Sequence, residues 1–298
     1  MLKSLNKLVY ELDEKFNVAK CPPDIPFSRV VPREYEASGL DMGRYFYPEY
    51  LKKFNGLMLR NGDQVQKIYL AVFLSPEILD VILERGDRDA LIFVHHPMEF
   101  ESSGRGFLPL PEEYLKALQA FSLSVYAIHS PLDIHSEIAT SQSIANQLNL
   151  IRQRRYNAYS IGFAGIVGEL QMPVSFDDFL KALRRIFEIN EIHFIKRTDT
   201  VHRVGVIAGG GADVAYIKES IALQCDTYLS GDYENKVRTE NSIKKRQEFE
   251  KEKDDLNINL IECSHYATEK LVFIHELKTY FESVGYPCEF IPQKNPWK

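Results

Sequence analysis

Four of the eight histidines in this 298-residue chain stand where an apolar run gives way to a turn. Residues 90–94 lead into His95, His96 and Pro97; residues 124–128 lead into His129, with Asp133 four positions on. Residues 257–262 precede Ser264 and His265, with Glu269 again four positions on. Neutral imidazole and carboxylate are the ligands that borderline divalent metals accept. A spacing of four at the start of a helix puts both side chains on one face, within reach of a common ion. A carboxylate can also bridge two ions, which favours a two-metal site with a spacing of roughly 3.5–4 Å. Each motif also has a plainer reading. His95 and His96 can cap a strand, Asp133 can be a charged helix cap, and His265 with Glu269 can be a solvent-facing pair. His129 alone at a strand end is more often a satisfied polar residue. Three such sites beyond three strand ends point to metal binding.

Those side chains need buried strands to carry them. Residues 68–74 read as a strand, and Ser75-Pro76-Glu77 opens a helix with serine as the cap and proline in the first position. Strands at 90–94 and 124–128 flank a helix over 111–121, and a helix is predicted from Ser130 to about 148. Alternating strands and helices make a mostly parallel sheet, whose carboxyl ends face the ligand crevice. The second half repeats the rhythm: strands near 160–167, 192–196, 201–208, 227–229 and 257–262, helices over 175–187 and 213–223, and a glycine turn at Gly209-Gly210-Gly211. Such a turn can cradle an anion where it opens a helix, although it is more often only a turn. The last helix begins at His265 and reaches about 282, and a closing strand covers 288–291. Residues 1–16 have helical apolar spacing, whereas 21–50, rich in proline and tyrosine, read as an irregular surface arm available to a neighbouring subunit. The highly charged 234–255 stretch reads as a solvated helix or mobile loop. The expected fold is α/β: one family domain with an N-terminal segment (1–50), a first lobe (about 51–155) and a similar second lobe (about 156–298) whose last helix returns to the first.

The motifs, taken in order, resemble the GTP cyclohydrolase 1 type 2 homologues, the NGG1-interacting-factor-like family. His95-His96-Pro97 with Phe100 is similar to that family's H-H-P-x-x-F, His129-Ser130-Pro131-Leu132-Asp133 to H-T-x-L-D, and Ser264-His265-Tyr266-Ala267-Thr268-Glu269 to G-H-Y-x-T/S-E. Ser75-Pro76-Glu77, Gly209 to Ala212, Ser230-Gly231-Asp232 and Asn295-Pro296-Trp297 extend the likeness from about Asn55 to the carboxyl end. The resemblance implies metal ligands at His95, His96, Asp133, His265 and Glu269, with Glu269 bridging two ions and His129 beside them as a supporting group or substrate contact. It further implies a toroidal homohexamer, a dinuclear site in the cleft between the two lobes, and, in this compact chain, no inserted domain. The chain departs from the family at Ile134-His135-Ser136-Glu137-Ile138, which replaces a glycine-rich segment. It lacks a histidine in Gly231 to Lys236, and Phe54-Asn55-Gly56-Leu57 stands where a tryptophan motif is usual.

Composition narrows the function. A net charge of -6 argues against nucleic acid as the main partner, which needs a concentrated basic face; the densest basic clusters are only Arg152 to Arg155 and Lys244 to Arg246. No apolar stretch approaches the ~20 residues of a membrane span, and the charged amino terminus is not a signal peptide. Cys21, Cys225, Cys263 and Cys288 are too far apart for a zinc finger and fit free thiols in a reducing compartment, so the expected location is the cytoplasm. The leading reading is a hydrolase with two divalent ions per subunit (zinc, iron, manganese, cobalt or nickel), acting on a small molecule: a purine nucleotide ring, a phosphoester or an amide. His129, or an outer carboxylate, moves the proton. The alternative is a non-catalytic metal-binding ring for storage, sensing or scaffolding. A third reading, a regulatory partner of other proteins, rests on the arm and the charged stretch.

Overall fold

All seven residues of the strand Ala90–His96 are buried, a pattern that belongs to the middle of a sheet covered on both faces. In the computed structural model, which describes residues 2–101, 106–233 and 240–294, this strand is the centre of a five-stranded sheet. Lys67–Phe73 and Ser124–Ala127 flank it in parallel, with Phe73 opposite His96 and Val94 opposite Ala127. Cys288–Phe290 adds a parallel edge beside Lys67–Phe73, and Gly56–Leu59 an antiparallel edge beside Ser124–Ala127. Gln293 fastens the end of Lys67–Phe73: its Oε1 accepts from Val72 and Phe73 N–H, and its Nε2 donates to the Phe73 carbonyl.

The first helix, Leu5–Lys15, buries Leu5, Leu8 and Leu12 as their spacing predicts. The arm that follows is not irregular. It folds as the helix Ile25–Ala37, which buries Phe27, Val31 and Tyr35. Those residues are four apart and share one helical face, each burial contributing about 1.5–3 kcal/mol. The prolines disguised this pattern: Pro26 lies in the first turn, where its missing N–H costs nothing, and only Pro32 is interior.

These elements form one compact unit, residues 2–101, 107–135 and 273–294; a second unit holds residues 136–233 and 240–272. The division between them falls after His135. The helix predicted from Ser130 to 148 is two helices, Ser130–Asp133 and Thr140–Gln147. Before the break, His129 N–H donates to Asn55 and Ser130 N–H to Asp24. After it, Ser141 Oγ accepts from Ala208 N–H. The two stretches are anchored to different partners, and one straight helix would not serve both.

The second unit contains a six-stranded sheet in the order His193–Ile195, Asn259–Glu262, Thr227–Asp232, Thr200–Gly210, Gly162–Ser175, Ile151–Tyr159. Its central pairs, on either side of Thr227–Asp232, are parallel. Ile151–Tyr159 and Gly162–Ser175 form an antiparallel hairpin, which the arginines at 152, 154 and 155 had concealed. The charged stretch is a helix over Glu240–Glu252; positions 234–239, like Asn295-Pro296-Trp297, lie outside the described residues. Both units are mixed α/β, with no inserted domain among the described residues, and there no helix is long and apolar enough to cross a membrane.

Candidate metal centre

In the first unit, His95 and His96 close the central strand, and His129 follows the neighbouring strand Ser124–Ala127. One nitrogen from each of the three imidazoles lies within 4.8 Å of the others, a group that could hold a metal ion. His95 Nδ1 lies 2.8 Å from the Ile128 carbonyl. A carbonyl only accepts, so Nδ1 carries a proton, and Nε2 lies 3.4 Å from Asp133 Oδ1. His129 Nδ1 lies 2.9 Å from Asp24 Oδ2, and its Nε2 lies 3.9 Å from Asp133 Oδ2. His96 stacks on Phe73, with centroids 4.6 Å apart, and receives the edge of Phe27. Burial alone would raise the Asp24 pKa. His129 first, then the Phe27 N–H and the Ser130 side chain, outweigh it and hold this carboxyl well below the usual range.

In the second unit, the helix His265–Val272 is buried throughout. His265 Nδ1 lies 3.1 Å from Asp232 Oδ2, and Nε2 lies 3.1 Å from Glu269 Oε1. Burial disfavours the imidazolium, but Glu269 and then Asp232 favour it more strongly, pushing the His265 pKa up to about 10. A divalent ion binding at Nε2 therefore has to displace a proton. The glycine turn packs here: Gly209 has φ +63, and any Cβ on it would run into the Glu269 carboxylate. The helix Val214–Ala222 that this turn opens is capped by the Asp213 carboxylate, which accepts from Ala215 N–H, so its positive end already has an anion.

The Duf34/NIF3 (NGG1p interacting factor 3) family matches residues 49–296. The chain belongs to this family. A Deinococcus radiodurans relative named "GTP cyclohydrolase 1 type 2 homolog" is 29% identical over 248 residues, covering 82% of this chain and 86% of its own. A Pyrococcus horikoshii relative of the same name is 27% identical, covering 76% and 82%. The crystal structure of a Staphylococcus aureus hypothetical protein, SA1388, has the same fold, with a TM-score of 0.67 at 15% identity, covering 99% of this chain and 98% of that one.

Within this Duf34/NIF3 chain, the sequence-predicted residues thus assemble as two clusters: His95, His96, His129 and Asp133 in one unit, His265 and Glu269 in the other. The donor set fits a divalent transition metal. It offers only imidazole nitrogens and carboxylate oxygens, and His95, His129 and His265 each have their Nδ1 held by an oxygen acceptor, as metal-binding histidines usually do. Three contributors escaped the sequence reading. Asp232 lay in a noted Ser-Gly-Asp motif without a role, and Asn55 in a weakened tryptophan motif. Asp24 had no signal, because 105 residues separate it from His129 and the family match begins only at Glu49.

Proposed function

We propose that this Duf34/NIF3 protein is a hydrolase whose His95, His96 and Asp133 in one unit, and His265 and Glu269 in the other, would serve as ligands for two divalent metal ions. The observation that carries this reading is the presentation of His95: its Nδ1 proton is committed to Ile128, and its Nε2 is turned to Asp133. When bound, two such ions supply a polarised carbonyl, imine or phosphoryl group and a water of lowered pKa. The chain's own part is to hold the ligands, exclude bulk water by burying them, and receive a proton at His129 Nε2. The name carried by the relatives supports a cyclohydrolase-like substrate, a purine nucleotide; a phosphoester or amide suits the same ligands. Zinc, iron, manganese, cobalt and nickel all accept this donor set. We place the protein in the cytoplasm and as a homohexamer, on the family likeness and the free cysteines.

Elemental analysis of the purified protein beside His95→Ala and Glu269→Ala tests the centre. About two equivalents per chain, as a two-metal site requires, with a large fall in both variants, is the expected result. No metal, and none taken up on titration, sinks the assignment. A screen of nucleotides, phosphoesters and amides then tests hydrolysis, with turnover lost in folded His96→Ala. Bound metal without turnover of any of them leaves a metal-binding ring instead.

A further inference from the structure

We infer that Asp24 is a positioning residue for this centre: it fixes the His129 imidazole with its proton on Nδ1, so that Nε2 is the proton-accepting atom turned toward Asp133. The role of Nε2 rests on the reading of His129 as proton carrier; the tautomer does not. Asp24 is 2% exposed, and both its oxygens are committed. Oδ1 accepts from Phe27 N–H at 3.1 Å, capping the helix Ile25–Ala37. Oδ2 accepts from His129 Nδ1 at 2.9 Å and from Ser130 N–H at 3.3 Å. An ionised carboxylate has no hydrogen to give, so the imidazole nitrogen that hydrogen-bonds it at 2.9 Å carries the proton, whereas Asp133, 3.9 Å from Nε2, is beyond hydrogen-bond distance.

Two further contacts hold the ring in place. Asn55 Oδ1 accepts from the His129 backbone N–H at 2.8 Å, and Phe27 sets its ring edge-on to His129 with centroids 4.8 Å apart. Asp24 and Phe27 share one helical turn, and both precede the residues that match the family. The N-terminal arm thereby contributes to the centre as well as to the core.

The competing role for Asp24 is that of a helix cap alone. Asparagine caps helices about as well as aspartate, which makes Asp24→Asn the separating variant. Its amide oxygen can keep the cap with Phe27, but its NH2 then faces His129 Nδ1 and donates to it, driving the proton to Nε2. The measurement is the 15N spectrum of imidazole-labelled full-length protein well above the imidazole titration range. The His129 signals are identified by their loss in His129→Gln. The parent is expected to show protonated Nδ1 and unprotonated Nε2, and a folded, metal-binding Asp24→Asn to show the reverse, with a lowered thermal midpoint because Ser130 N–H loses its acceptor. If the reaction proves hydrolytic, kcat falls about 10²-fold with little change in KM.

A protonated Nε2 in the parent overturns the inference, and that spectrum decides even if the variant fails to fold. An unchanged tautomer in a folded Asp24→Asn reduces Asp24 to a cap and also overturns it. Absence of metal or turnover would remove the hydrolase reading while leaving the tautomer assignment standing, so the two can fail separately.

Discussion

Ser264 has φ +74, in the left-handed region that glycine enters freely, and the family motif it resembles has glycine there. Holding a residue with a Cβ in that region costs about 1–2 kcal/mol. Ser264 recovers part of this by capping: its Oγ accepts from Ala267 N–H at 3.2 Å. Replacing a serine cap by glycine costs only a few tenths of a kcal/mol. Ser264→Gly is therefore expected to stabilise the protein by roughly 1 kcal/mol, read as a higher urea midpoint at unchanged slope. A lower midpoint would show that the cap outweighs the strain. The same turn explains why the candidate ligands were legible while their supports were not. His265 and Glu269 are one helical turn apart and announce themselves by spacing. Asp232, which orients His265, is 33 residues away and meets it only because parallel neighbours, Thr227–Asp232 and Asn259–Glu262, end side by side.

The short strand Cys288–Phe290 is held by charge as well as by its ladder. Glu289 Oε2 lies 3.0 Å from Lys67 Nζ and also pairs with Arg85, while Asp87 pairs with the same lysine at 3.2 Å and bonds Tyr69. Arg85 first, then Lys67, holds the Glu289 carboxyl below its usual range; Tyr69 first, then Lys67, does so for Asp87. Both shifts are depressions, so the stability they confer is present above the unfolded carboxylate range, near pH 4, and is lost as pH falls through the folded values. Both side chains are more than a third exposed, and solvent screening keeps the effect to roughly 0.5–1 kcal/mol. Glu289→Gln should unfold more easily than the parent at neutral pH, with the gap closing as pH falls below the usual carboxylate range. A gap independent of pH would mean that the pairing contributes nothing. Elements as a class were readable where one signal dominated. The continuous apolar runs at 68–74 and 90–94 gave their strands directly. The helix Ile25–Ala37 was hidden by its prolines, and Ile151–Tyr159 by outward-facing arginines, because burial on one face only leaves a weaker pattern.

For the whole molecule, the order of motifs was enough to reach the α/β class and the family, since fold and candidate ligands are written in the same strand ends. Assembly is a separate matter. Phe163 and Met172 of the strand Gly162–Ser175, and Ile161 just before it, are exposed, as is Ile151 on the edge strand. Exposed apolar groups beside an open sheet edge suit association with another copy. Light scattering of the parent should give six times the chain mass, and Phe163→Glu combined with Met172→Glu should lower it. A monomeric parent would end the hexamer proposal. The Gln293 fastening also carries a temporal consequence. It reaches back 221 positions to Val72, so the ribosome releases the first unit's strands long before their edge partner exists. At about 5–20 residues per second, Lys67–Phe73 waits roughly ten to forty-five seconds with one side unpaired, an interval during which that edge is open to pairing elsewhere.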